Sequence, residues 1–219
     1  DRAYEGIINC GPLDILVQSG VTLTLASDED GDEDYNDGDT GVYLVSKNLT
    51  VEGIISANSY GYPGGNGGHL NGYGPGAGTS NGTASENTGS GGSFGGKGGT
   101  AKANSGTSYN YAPEIYENPV TAFTLGSGGG AGQGGSGGAG GGSIRIHVNE
   151  TATINGTIRA NGSNGANRRG AGSGGGILIY ANTVAGSGSI NATGGNSSGD
   201  TNAYGGAGGG GRIYINYNS

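Results

Sequence analysis

The sequence predicts an all-β chain, a β-solenoid or a sandwich-like stack of short strands, with ordered glycine-rich, polyglycine II-like loops. Three observations carry this. Apolar residues alternate with polar ones at period two wherever they cluster. Strand-like segments recur, with Ile144, Ile177 and Ile213 spaced by 33 and 36 residues. Glycine supplies 56 of the 219 residues, against an ordinary share of about 7%. No window gathers good helix formers at helical spacing.

Residues 1–26 read as an N-terminal strand arm. Leu13, Ile15 and Val17 share one parity, and Val21, Leu23 and Leu25 form a second run beyond Ser19 and Gly20. This is the period-two pattern of half-buried strands. Gly11 and Pro12 separate these runs from an earlier apolar patch at Ile7 and Ile8. Tyr4, Ile7 and Ile8 are the candidate assembly residues. The arm either completes its own sheet or acts as a donor strand on a neighbouring subunit, a mode by which fibres polymerise. Head-to-tail contacts of that kind do not close and so build filaments.

Residues 27–40 form an acidic loop holding eight of the 17 acids. Asp28, Asp30, Asp32 and Asp34 occupy alternate positions, followed by Asn36, Asp37 and Asp39. Calcium takes six to eight oxygen ligands from flexible loops, and this run supplies them. It is not an EF-hand, because Glu33 stands where that loop requires glycine and no helices flank it. The competing reading is a solvated acidic loop.

Residues 41–219 read as one glycine-rich β-repeat domain with a long insertion at about 60–142. Residues 141–162 and 174–195 align by eye; a third copy starts at Gly209, and a divergent one spans residues 41–59. Each has a strand, a turn, a short second strand and a glycine-rich excursion. Ile144, Ile146 and Val148 point one way, Arg145 and His147 the other. A repeat of this length cannot bury its own apolar face and becomes stable by stacking on neighbours. In stretches such as residues 134–139 glycine holds two of every three positions. That suits a threefold extended helix, which has no internal hydrogen bonds. Such helices satisfy their backbone groups by packing closely against one another; the alternative is a flexible linker.

The runs at residues 208–215 (GGGGRIYI), 186–195 (GSGSINATGG) and 49–59 (LTVEGIISANS) resemble the glycine-rich repeats of very large extracellular proteins from bacteria and microbial eukaryotes. The resemblance covers residues 41–59 and 141–219. It implies a secreted, solenoid-like protein with a structural or adhesive role, and it brings no catalytic residues.

Composition excludes several classes. Nine Lys and Arg are scattered over a net charge of −8, with only Arg168 and Arg169 adjacent, so no basic stripe for nucleic acid exists. No apolar run approaches the roughly 18 residues that cross a bilayer. The chain lacks methionine and starts at Asp1, which predicts a mature chain left after removal of a secretion signal. The lone Cys10 reads as a buried thiol or as one half of an intermolecular bridge. Asn48, Asn81, Asn149, Asn155, Asn161, Asn191 and Asn196 head Asn-x-Ser/Thr sequons for N-linked glycans. No enzyme is expected: His69 and His147 have no nucleophile or acid at a telling spacing, and Glu114 and Glu117 read as a surface turn. The 13 tyrosines suit packing or contact with sugars. The expected function is a structural subunit of an extracellular filament, a homopolymer of this chain. The rivals are an adhesin or glycan-binding module and, behind it, an ice-binding protein.

Overall fold

The computed structural model describes residues 3–4, 6–26, 41–66, 70–80, 87–103, 109–116, 124–199 and 203–218. A first short strand, β1 (Ala3–Tyr4), precedes a full coil made of β2 (Ile7–Asn9), β3 (Ile15–Val17) and β4 (Thr22–Leu25). The next coil holds β5 (Val42–Ser46), β6 (Leu49–Val51) and β7 (Ile54–Ser56). A small antiparallel pair, β8 (Ala101–Lys102) and β9 (Tyr109–Asn110), lies within the insertion. Then come β10 (Ser143–Ile154) with β11 (Thr157–Arg159), β12 (Gly176–Ala185) with β13 (Ser189–Asn191), and finally β14 (Arg212–Tyr217).

Every long-range strand pair is parallel, each strand lying on its counterpart one turn away. One sheet runs β1-β4-β7-β11-β13 and the other β14-β12-β10-β5-β2, with β3 and β6 continuing the row along the second half of β10. The result is a β-solenoid of about 5 turns, the first of the two architectures the sequence allowed. The strands of residues 7–25 pair with this chain's own β5, β6 and β7 and make up its first full turn, and β1 pairs with β4.

The period-two pattern fixes which side chains enter the core. Ile8, Leu44, Ile146, Ile179 and Ile215 fall in one column across the second sheet. Leu44, Ile146 and Ile179 within it are fully buried, while Arg145 and His147 face outward. The corner between the sheets repeats a glycine. A Cβ on Gly156 would lie 2.0 Å from the Gly53 carbonyl oxygen, and one on Gly188 would lie 2.2 Å from that of Gly156. No side chain fits where successive turns approach this closely.

The third side of the solenoid is glycine-rich and hydrogen-bonded in threes. Within residues 170–175, Gly170 and Ser173 donate to Gly130 and Ser127, Ala171 and Gly174 to Gly206 and Gly209, and Gly172 and Gly175 to Ser163 and Ala160. Donors three residues apart thus address the same neighbour, which is the signature of a threefold extended helix. Carbonyls follow the same rule: Gly170 and Ser173 accept from Gly138 and Gly141. The insertion joins this bundle. Gly126 and Gly129 accept from Tyr62 and Gly65, Gly128 accepts from Gly78, and Gly92 donates to Ala171. These are the ordered polyglycine II-like loops the composition called for.

Small polar side chains occupy the few bundle positions that have room. Ser90, Ser93, Ser127 and Ser173 are all fully buried. The Ser93 hydroxyl accepts the Gly98 N–H at 2.9 Å and donates to the Pro113 carbonyl at 2.6 Å. The Phe94 ring closes one flank, 5.1 Å from Tyr116, with the Arg212 guanidinium 5.5 Å from its centroid.

Candidate functional site

Edge strands of a sheet carry unpaired backbone groups, and single-chain proteins block them with charge, proline or covering segments. Among the described residues β2 pairs only with β5, and β3 only with β6. Neither strand carries a charged residue: their sequences are IIN and ILV. Beside them lies an open apolar groove of about 560 Å³, lined by Ile8, Ile15, Val17, Val21 and Leu23 and by Cys10. Leu16, 58% exposed, also lines it, and Ile7 and Leu13 in the same coil are exposed at 70% and 65%.

On the other side of the stack, among the described residues, β14 pairs only with β12, and β13 only with β11. Ile213, Ile215 and Tyr217 align with Ile177, Ile179 and Ala181, so they continue the core rows. They are nevertheless exposed, at 44%, 37% and 57%. Among the described residues, β2, β3 and β14 thus present core-type side chains.

The residues expected to matter fall as follows. Ile7 lies exposed on β2, and Ile8 packs against the core cluster; Tyr4 lies on β1, which pairs with β4. Cys10 is half-buried and lines the groove. Asp28, Asp30, Asp32, Asp34, Asn36, Asp37 and Asp39 lie outside the described residues, as do Asn81, His69 and Glu117. Among the described residues no three His, Cys, Asp or Glu side chains come together. Glu114 forms an ion pair with Lys97.

Several sequon asparagines serve the coil stack. The Asn48 side-chain oxygen accepts the Thr151 N–H at 3.1 Å, and its amide donates to Asp14 at 2.9 Å. Asn58 accepts the Asn161 N–H, Asn161 accepts that of Thr193, and Asn164 accepts that of Asn196, each at 2.8 Å. Asn155 donates to Glu52 at 3.0 Å, and Asn191 to Ser189 at 3.4 Å. The amide oxygens of Asn48, Asn58, Asn161 and Asn164 satisfy corner N–H groups, which gives asparagine a structural use at the corners. Asn149 and Asn196 have exposed side chains.

An aromatic row crosses the outer face of the second sheet. The Tyr43 hydroxyl lies 3.3 Å from His147 Nδ1, and the rings of His147, Tyr180 and Tyr214 follow at centroid spacings of 6.1 and 6.3 Å. A shallow groove of about 280 Å³ borders it, lined by His147, Tyr180, Asn149, Asn182, Asn216 and Asn218.

Sequence reasoning gave β14 no assembly role, although its alternation matched the core rows of earlier copies. The overlooked signal was its apolar alternation, with Ile213 and Ile215 standing over Ile177 and Ile179. No family model, curated protein or solved structure matches this chain.

Proposed function

We propose that this protein is a structural subunit of an extracellular filament, assembled by β-strand addition between copies. The supporting observation is that β2, β3 and β14 each pair on one side alone among the described residues and carry core-type side chains. Burying exposed apolar surface stabilises association by roughly 25 cal/mol per Å² before the cost of ordering. Strand edges add directional backbone hydrogen bonds. A contact between two different surfaces of one molecule is heterologous and propagates. The parallel coils and the glycine bundle supply a stiff rod, as a fibre subunit needs. Negative-stain microscopy and light scattering of the purified chain test this: regular unbranched fibres are expected. Dispersed monomers at every concentration would refute it.

Calcium in the 28–39 run belongs to the same proposal, since that run joins β4 to β5 and so links the first two coils. A chelator is then expected to lower the melting temperature. An unchanged melting curve removes the metal from the proposal.

One observation favours a second reading, a glycan-binding surface module. The Tyr43–His147–Tyr180–Tyr214 row and its neighbouring amides combine ring faces with hydrogen-bonding groups, the chemistry that contacts sugars. Binding to immobilised glycans that Tyr180→Ala abolishes would support this reading over the first.

A further inference from the structure

Two lanes of side chains cross one flank of the stack, where neighbouring turns lengthen them and do not bury them. β5, β10, β12 and β14 lie side by side in the second sheet. Each gives one ring to the outer face: Tyr43, His147, Tyr180 and Tyr214, with the histidine exposed and the tyrosines half-buried. Register sets Tyr43 and Tyr214 in one outward column and His147 and Tyr180 in the next. The rings form a shallow arc that advances one strand, about 4.8 Å, at a time.

The second lane is made of amides on the same strands. Asn149 on β10, Asn182 on β12 and Asn216 on β14 line the groove beside the rings, with Asn218 just beyond. The Asn218 amide donates to Asn182 Oδ1 at 2.9 Å, which ties two of them together. On the other side of the rings Arg145 shares the column of Tyr43 and Tyr214, so polar groups border the arc on both sides.

We infer that this flank takes an extended, neutral polysaccharide laid along the solenoid axis, with one sugar to each strand level. This rests on the glycan-binding reading above and specifies its ligand. A single sugar spans one or two levels and leaves most of both lanes unused. A chain of equatorially linked sugars advances by close to one strand spacing per residue, so a ring face and a hydroxyl edge return at every level. Amides both donate and accept, as sugar hydroxyls do.

Other ligands fit less well. Successive ring planes are turned by 38° and 62°. A rigid flat molecule cannot lie on all of them, whereas a chain jointed at each glycosidic bond turns with them. Proline-rich peptides also dock on aromatic rows, but their prolines carry no N–H, which leaves the amide acceptors without donors. The groove lining holds no Asp, Glu, Lys or Arg, and the net charge of −8 opposes a polyanion.

The test uses the chain made in a bacterial host that adds no N-linked glycans, titrated calorimetrically with β-1,4-linked gluco- and manno-oligosaccharides of one to six sugars. Malto-oligosaccharides of the same lengths, which coil, are the control. A single sugar should give no measurable heat. Affinity should rise at least about tenfold between two and four sugars and then level off. Tyr180→Ala should weaken the four-sugar ligand about tenfold, and Tyr180→Phe, which keeps the ring, should not. Asn149→Ala, at an exposed position, should weaken it severalfold with an unchanged melting temperature, and it carries the test if Tyr180→Ala fails to fold.

Binding that is as strong for one sugar as for four, equal for the coiled control, or confined to other immobilised glycans overturns the extended chain. If Tyr180→Ala abolishes that binding, the glycan-binding reading still stands. No binding to any glycan removes both, as does capture of a ten-residue polyproline peptide in place of the sugars.

Discussion

Ser127 and Ser173 are locked together inside the glycine bundle. The Ser173 hydroxyl accepts the Ser127 N–H at 2.8 Å, and the Ser173 N–H returns a bond to the Ser127 carbonyl at 2.9 Å. Both side chains are shut away from solvent. Threefold extended segments have no internal bonds, so each backbone donor depends on a neighbour. Ser173→Ala leaves the Ser127 N–H without its acceptor. The expected loss is about 1–3 kcal/mol, the cost of an unsatisfied buried donor. It should appear as a lower urea midpoint with an unchanged slope. An unaltered midpoint would mean that the bundle tolerates loose donors, contrary to the packing described above.

Glycines in this bundle are not interchangeable. A Cβ on Gly175 would stand 1.8 Å from the Gly142 carbonyl oxygen, whereas one on Gly210 meets nothing within 4 Å. Gly175→Ala must push two backbones apart, and overpacking of this kind costs about 1–3 kcal/mol or more. Gly210→Ala should change stability by less than about 1 kcal/mol, in the stabilising direction, because alanine restricts the unfolded chain. Paired denaturant melts decide the matter. Equal effects at the two positions would show that glycine is used here for chain flexibility and not for contact.

The same contrast explains what could be read from the residues alone. Ile144, Ile146 and Val148 announced an inward face because alternation survives in any strand, and the spacing of Ile144, Ile177 and Ile213 announced stacking. The identity of a glycine's neighbours was hidden. Gly128 lies against Pro63 and Gly172 against Ala139, yet nothing in a glycine run distinguishes one backbone partner from another. The first coil was obscured for a different reason. A three-residue strand such as β2 shows too few alternations to announce its sheet, and β1, with two residues, shows none.

Asparagines that head sequons divide into two groups by what their amides already do. Asn48 is half-buried, holding Thr151 with its oxygen and Asp14 with its nitrogen, while Asn149 is exposed two residues away from that corner. Glycan transfer requires the amide nitrogen, so in a secretory host occupancy by peptide mass spectrometry should be higher at Asn149 and Asn196 than at Asn48. Asn48→Ala removes the acceptor of the Thr151 N–H and should cost about 1–3 kcal/mol; Asn149→Gln should stay within about 0.5 kcal/mol. Full occupancy of Asn48 in folded, secreted protein would refute the structural role assigned to that side chain.

Ile146 and Ile215 share a column and a residue type, and differ only in whether another turn lies over them. Ile146 is at 0% exposure and Ile215 at 37%. Truncating a fully buried isoleucine removes its transfer free energy and leaves a cavity, together about 2–5 kcal/mol. Ile146→Ala should therefore shift the monomer's unfolding midpoint strongly. Ile215→Ala has neighbours on one side only, and its cost in the monomer should be under about half as large. Conditions that favour polymer reverse the comparison for Ile215, because a turn from the next copy would then cover it. Melts of Ile215→Ala at low and high protein concentration read this directly. If its penalty fails to grow with concentration, the core rows end at β14 and are not continued by another molecule.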